Sequence, residues 1–356
     1  MVPADGFQIS VLRQATARYV PSGKIILIIK QIMKIAFVAL LFVANATFSQ
    51  TTENNTYSQD NVNKIITEIS KVIKKNSLFS DSLNWIAIKD SAQKISREIK
   101  SAQDYKLIYS FFTKELRIAG DKHSFFLSTD NITKIQNQTN ESKQSEGKYL
   151  GDGMGYVKVP GCLNLNSEKD IEFADNIRLK IKEIDTDNKV TSWIVDLRHN
   201  TGGNMWPMIA GLNALTKDGI VGYFVSSKGE SSWKIKNGEI VGSKGKIDNY
   251  KIKNQNVKIA VLIDSLTGSS GEMTAISFSG LPNVKFFGNQ SAGYTTANRT
   301  FNLFNGSQLY LASSFVADRN HKSFMDKIIP DVLVEVSNDR KDIVLATAMQ
   351  WMKETK

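Results

Sequence analysis

The chain has 356 residues, of which 41% are hydrophobic and 22% charged, which is enough for a sizeable core and one or two domains. Its formal net charge of +10 comes from lysines scattered among acidic residues, so we expect a solvated surface and no nucleic-acid partner. The single cysteine, Cys162, excludes an intramolecular disulfide, and the three histidines are far apart with no paired spacing. We therefore predict no metal site and no other cofactor.

The first 49 residues are predicted to be a leader and signal peptide. Ile35 to Val43 is apolar throughout, and Ala44 to Ala46 resembles a small-residue cleavage site. The apolar run is too short to span a bilayer comfortably, so we expect cleavage after it, no stable membrane anchor, and a periplasmic or extracellular protein. Residues 1–32, which precede this pattern, are consistent with an early start codon, and an uncleaved anchor that includes Ile25 to Ile29 is a weaker alternative.

Residues 50–126 are predicted to form a small N-terminal helical domain. From Val62 to Ile118, apolar residues recur at helical spacing with few breakers, which predicts about three helices. Their turns are expected near Asn76 to Ser80 and near Lys100 to Asp104. Residues 127–148 are mainly polar and are predicted to be a surface loop.

Residues 149–356 are predicted to form an α/β core. Three apolar runs have the pattern of strands buried on both faces: Thr191 to Arg198, Ile259 to Ile263 and Val284 to Gly288. Helical patterns follow the first two runs, and this alternation of strand and helix favours a largely parallel sheet.

Two small-residue turns stand between these strands and their helices. The first contains His199-Asn200-Thr201-Gly202-Gly203, and the second runs from Ser265 to Gly271. Ser269, in the second turn, is predicted to lie at the carboxyl end of a strand and at the start of a helix. Free N–H groups at a helix start stabilise developing negative charge. On these residues alone, an ordinary helix-capping serine is the commoner interpretation.

The order of several motifs resembles the C-terminal processing, or tail-specific, serine proteases, in the branch similar to the tricorn core. The motifs are DKHSFF, DLRHNTGGN, LTGSSGE and IIPDV, and the resemblance covers roughly residues 120–354. It implies a spiral α/β core like that of crotonases and Clp proteases, and hydrolysis of proteins or peptides by a serine. The nucleophile is then Ser269, and the oxyanion donors are the N–H groups of Gly203 and Ser270.

The resemblance also identifies a candidate base. Many members of this family use a lysine soon after the third buried strand, but Tyr294 stands at the corresponding place here. The tricorn-like branch uses a histidine beside a serine, which implies that His123, followed by Ser124, is the general base. There is no room for an inserted PDZ domain between His123 and the DLR strand.

The acidic residue that orients the base is left open. The candidates are Asp121, Asp318 and Asp326. Asp196 is expected to fix its own turn, and His199 and His321 are expected to be packing or surface residues. The main alternative function is non-catalytic binding of an apolar ligand or peptide on the same scaffold. Acyl-CoA chemistry of the crotonase kind is a weaker alternative, because no adenine- or phosphate-binding signal is present.

Overall fold

The computed structural model describes residues 57–137, 144–163, 167–236, 239–240, 250–335 and 342–354. The predicted leader and its cleavage site lie outside these ranges. Within them, every helix is too short or too polar to cross a membrane.

Helices form the first part of the described chain and recur between the strands. They are α1 (Gln59–Asn76), α2 (Trp85–Glu98), α3 (Tyr105–Ile118), α4 (Thr129–Asn137), α5 (Ser167–Asp187), α6 (Met205–Gly211), α7 (Asn213–Thr216), α8 (Ser270–Ile276) and α9 (Ile343–Lys353). The three predicted N-terminal helices are confirmed as α1 to α3. The polar composition of residues 127–148 predicted a loop, whereas α4 and a strand lie there, because Ser128 begins a helical turn by accepting from the amide of Ile132.

The first sheet carries the predicted buried strands. Its strands are β2 (Glu146–Tyr149), β3 (Met154–Lys158), β4 (Ser192–Asp196), β8 (Lys258–Ile263), β9 (Val284–Gly288) and β13 (Val332–Leu333), in the spatial order β13-β9-β8-β4-β3-β2. All neighbouring pairs are parallel except the β2–β3 hairpin. Every residue of β4 is buried, as the unbroken apolar run predicted. The predicted α/β fold class with a preceding helical segment is confirmed.

A second, antiparallel sheet was not predicted as a unit. Its strands are β1 (Phe125–Leu127), β5 (Gly219–Ser226), β6 (Gly229–Lys236), β7 (Glu239–Ile240), β10 (Thr296–Asn302), β11 (Gln308–Ala317) and β12 (Ser323–Phe324). The spatial order is β1-β11-β5-β6-β7, and β10 and β12 also pair with β11. The hairpin predicted around Asn305-Gly306 is confirmed as β10 and β11.

The N-terminal helices pack on this second sheet. Phe112 of α3 lies in a buried apolar cluster that includes Leu309 and Leu311 of β11. Directly after α3, strand β1 pairs with β11 and places Phe125 opposite Tyr310. The helical segment therefore fixes the position of the short stretch between α3 and β1, where His123 lies.

We expect Phe112→Ala to lower the free energy of unfolding by about 3–5 kcal/mol, because it removes a ring that is 1% exposed and leaves a cavity. The matched control is Ile118→Ala on the same helix, where the side chain is 71% exposed and the expected change is within about 0.5 kcal/mol. Urea denaturation of both variants measures the difference. Equal losses would contradict the packing described for α3.

Candidate active site

Neighbouring parallel strands bring the two small-residue turns together. β4 and β8 pair with Val195 opposite Val261, so the turns that follow them lie at the same edge of the sheet. The amide of Gly268 in the second turn donates to the Asn200 carbonyl in the first, at 2.9 Å. The buried Asn200 side chain accepts from the Gly202 amide at 3.0 Å. These bonds fix the two turns to each other.

Ser269 lies at the sharpest point of the second turn, directly before α8. Its φ of 53° is in a region that non-glycine residues rarely occupy, at a cost of about 1–3 kcal/mol. A serine on a strained strand-to-helix turn exposes its Oγ at the end of the sheet. Gly202 approaches so closely that a Cβ there would lie 2.9 Å from the Ser269 Cβ, and glycine is therefore required.

The fully buried carboxylate of Glu272 fixes the strained turn. Its oxygens accept from the amides of Ser269, Gly293 and Tyr294, each at 2.8 Å, and from the Ser291 hydroxyl at 2.5 Å. Burial raises the pKa of Glu272, and these four donors act in the opposite direction. The carboxylate thus joins the Ser269 turn to the segment after β9. The sequence pattern does not indicate this role, because Glu272 enters it only as the last residue of the LTGSSGE motif.

The structure brings His123 to Ser269. His123 lies two residues before β1, and Thr296 lies on β10, which pairs with the same strand β11. His123 Nε2 is 2.9 Å from Ser269 Oγ. Its Nδ1 is 2.8 Å from the Thr296 carbonyl oxygen and 3.1 Å from Thr296 Oγ1.

This arrangement determines which ring nitrogen carries the proton. A carbonyl oxygen only accepts, so His123 Nδ1 donates to Thr296 and Nε2 presents its lone pair to the Ser269 hydroxyl. Burial lowers the pKa of His123 below the ordinary value of 6.5, with the Thr296 carbonyl acting in the opposite direction. The imidazole is therefore neutral at pH 7 and able to take a proton from Ser269.

Asp121 bonds to the backbone of His123 rather than to its ring. One carboxylate oxygen accepts from the amides of His123 and Ser124, both at 2.9 Å, and the other accepts from the Ser124 hydroxyl at 2.5 Å. Ser124 Oγ in turn accepts from the Ala312 amide of β11 at 2.8 Å. Asp121, with no exposed surface, thereby fixes the turn before β1 on the second sheet.

The other two candidate acids lie in different surroundings. Asp318 accepts from the amide of Asn320 at 2.9 Å and fixes its own turn. Asp326 lies 3.4 Å from Lys122 Nζ on the surface, with both side chains 62% exposed. Within the described ranges, no carboxylate bonds to His123 Nδ1, and a backbone carbonyl takes the place that the sequence interpretation reserved for an acid.

The remaining polar residues of the motifs have local partners, as expected. Asp196 is fully buried and accepts from Arg198 at 2.6 Å, which fixes the DLR turn. His199 is on the surface with its Nδ1 3.1 Å from Asp264, and His321 is likewise exposed, with its Nδ1 3.6 Å from Glu230. The polar partners of these two imidazole rings are Asp264 and Glu230, and neither ring bonds to Ser269.

The two candidate oxyanion donors lie on the joined turns. The Ser270 hydroxyl donates to the Gly203 carbonyl at 2.5 Å and ties the start of α8 to the first turn. The amides of Gly203 and Ser270 have no acceptor among the described residues. A Cβ on Gly203 would lie 1.9 Å from the Cys162 carbonyl oxygen, so its backbone position excludes every other residue. Two free N–H groups therefore flank the Ser269 turn.

Tyr294 occupies the place that a lysine takes in many relatives of the predicted family. Its ring centroid lies 5.4 Å from that of His123, with the planes tilted by 32°. Its amide donates to Glu272, which holds it in position. A phenol cannot supply the amine of a serine–lysine pair, and the side chain that contacts Ser269 Oγ is His123.

We expect Glu272→Gln to lower the free energy of unfolding by at least about 2 kcal/mol. A glutamine presents an NH₂ group where the carboxylate accepted, so buried donors lose their acceptor. Glu98→Gln at the exposed end of α2 is the matched control and should change stability by less than about 0.5 kcal/mol. Chemical denaturation measures both variants. If the denaturation midpoint of Glu272→Gln equals that of the parent protein, the carboxylate does not hold the turn.

Sequence comparison identifies relatives of this chain. Residues 153–334 match the profile of peptidase family S41. The chain is similar to the nisin-resistance protein of Lactococcus lactis subsp. lactis, with 37% identity over 286 residues, which is 78% of this chain and 82% of the relative.

Structure comparison agrees with the sequence match. A lipoprotein from Streptococcus agalactiae is similar with a TM-score of 0.69 and 27% identity, over 86% of this chain and 99% of the other. The photosystem II D1 C-terminal processing protease shares the fold, with a TM-score of 0.55 and 12% identity over 79% of this chain and 94% of the protease. The chain belongs to peptidase family S41.

Proposed function

We propose that the protein is a serine peptidase that hydrolyses peptide bonds through an acyl-enzyme on Ser269. The observation that carries the proposal is the 2.9 Å contact between His123 Nε2 and Ser269 Oγ, with the opposite ring nitrogen held by the Thr296 carbonyl. A nucleophile bonded to a base that a third group orients is the common arrangement of such catalysts.

In the first step, Ser269 Oγ attacks the peptide carbonyl carbon while its proton passes to His123 Nε2. His123 then gives that proton to the leaving nitrogen, the C–N bond breaks, and an ester to Ser269 remains. Water attacks this ester with His123 again as base, which releases the acid and restores the hydroxyl. The lowered pKa of His123 supports this role, because a neutral imidazole is the form that accepts the proton.

The amides of Gly203 and Ser270 are proposed to stabilise the oxyanion. Each such donor contributes about 3 kcal/mol when it is aimed at the developing charge. The bond between the Ser270 hydroxyl and the Gly203 carbonyl supports the assignment, because it keeps the two donors at a constant separation before substrate arrives.

The substrates are proposed to be proteins or peptides met outside the cytoplasm. The apolar segment of the leader supports export, as do relatives described as a lipoprotein and as a nisin-resistance protein. Nisin is therefore a rational member of a first substrate panel. Action at the C-terminal tails of substrates stays a prediction from the family resemblance.

Ser269→Ala and His123→Ala should each reduce the rate of peptide hydrolysis by at least about 10⁴-fold, because nucleophile and base act as a unit. The matched control is His321→Ala, which removes an exposed histidine and should leave the rate unchanged. The assay follows cleavage of an unfolded protein and of nisin by mass spectrometry, with the melting temperature as a check on folding.

A parent protein that binds such peptides without cleaving them would favour the alternative of a non-catalytic binding protein. Ser269→Ala cleaving as fast as the parent would contradict the assigned nucleophile.

A further inference from the structure

A cavity of about 230 Å³ opens beside the base. Its lining residues come from the N-terminal segment and from the second sheet and its loops: Phe79, Gly120, Lys122, His123, Gly293, Thr296, Phe315, Met325 and Asp326. This volume lies below the usual range of about 300–1,000 Å³ for small-molecule sites. It is suited to one amino-acid side chain rather than to a whole ligand.

The interior of the cavity is apolar. Phe79, Phe315 and Met325 supply apolar side chains, and Gly120 and Gly293 add only backbone. The polar atoms of His123 and Thr296 are already bonded, Nε2 to Ser269 and Nδ1 to Thr296. The side-chain polar atoms of His123 and Thr296 therefore already have partners and offer no free hydrogen-bonding group to a ligand in the cavity.

The two charged lining residues compensate each other. Lys122 and Asp326 form an ion pair at 3.4 Å, and each side chain is 62% exposed, so their charges face solvent at the rim. Their opposite signs leave the entrance without net charge. A charged substrate side chain buried here would lose its hydration without gaining an oppositely charged partner, which costs free energy.

The cavity lies next to Ser269, because His123 is one of its lining residues and His123 Nε2 is 2.9 Å from Ser269 Oγ. When the carbonyl carbon of a peptide is placed at Ser269, only the side chains next to the scissile bond can reach this cavity. We propose that this cavity is the subsite for an apolar substrate side chain, of leucine to phenylalanine size, within two residues of the scissile bond. The inference rests on the proposed peptidase function and names its substrate class.

Cleavage mapping of a synthetic peptide library with every amino acid at each position tests the subsite. The parent protein should show one position, within two residues of the cleaved bond, at which leucine, methionine or phenylalanine is preferred over glycine and aspartate by about tenfold. Met325→Gln keeps the shape of an exposed lining residue and removes its apolar surface. It should reduce that preference several-fold.

Ile329→Gln is the matched control, because Ile329 is 60% exposed on the same segment but does not line this cavity. It should retain the parental preference. Cleavage with no apolar preference near the bond, or an equal loss in both variants, would overturn the subsite and leave the peptidase function intact. Absence of all cleavage, together with no labelling of Ser269 by a fluorophosphonate, would overturn both proposals.

Discussion

The hydrogen bond from His123 Nδ1 to the Thr296 carbonyl oxygen determines the chemistry of the site. Because a carbonyl cannot donate, the bond leaves the Nε2 lone pair for Ser269, 2.9 Å away. In many serine hydrolases a carboxylate bonds to the corresponding ring nitrogen, whereas the partner of His123 Nδ1 is a backbone carbonyl. A carbonyl carries no net charge, so it stabilises an imidazolium less than a carboxylate would. That agrees with a His123 pKa held below its ordinary value by burial.

The pair depends on both sheets. The parallel sheet places the turns after β4 and β8 side by side and so positions Ser269 with the two free amides. The antiparallel sheet aligns β1 and β10 on β11 and so positions His123 next to Thr296. Glu272 links the two regions, since it bonds to the Ser269 turn and to the segment that leads into β10. Ser269 and His123 are thus each positioned by a different sheet, and the buried Glu272 carboxylate ties the Ser269 turn to the segment before β10.

Much of the fold follows from the sequence because its strongest patterns are local. The runs Ile259 to Ile263 and Val284 to Gly288 predicted buried strands, and the helical periodicity before Ile118 predicted three helices. The antiparallel sheet was not predicted as a unit, because β1 pairs with a strand more than 180 residues away and no local pattern specifies such a pairing.

The candidate site was predictable to a similar extent. Ser269 and His123 could be predicted because each lies in a motif of the resemblance, LTGSSGE and DKHSFF. The structure places the two side chains in contact. The orienting group was not predictable, because a backbone carbonyl is common to all residues and leaves no signature in the sequence. The predicted candidates Asp121, Asp318 and Asp326 are all side chains. Of these, Asp121 does hold His123 in place, because its carboxylate accepts from the backbone amide of His123.

The protonation state of His123 in solution tests the central claim most directly. Nitrogen NMR of protein labelled with ¹⁵N-histidine, with the His123 signals assigned from their loss in His123→Gln, reports which ring nitrogen carries the proton as pH is varied. The structure predicts a neutral ring protonated at Nδ1 at pH 7, a titration midpoint below 6.5, and a change at Nε2 in Ser269→Ala. A ring protonated at Nε2, or one still charged at pH 7, would contradict the claim.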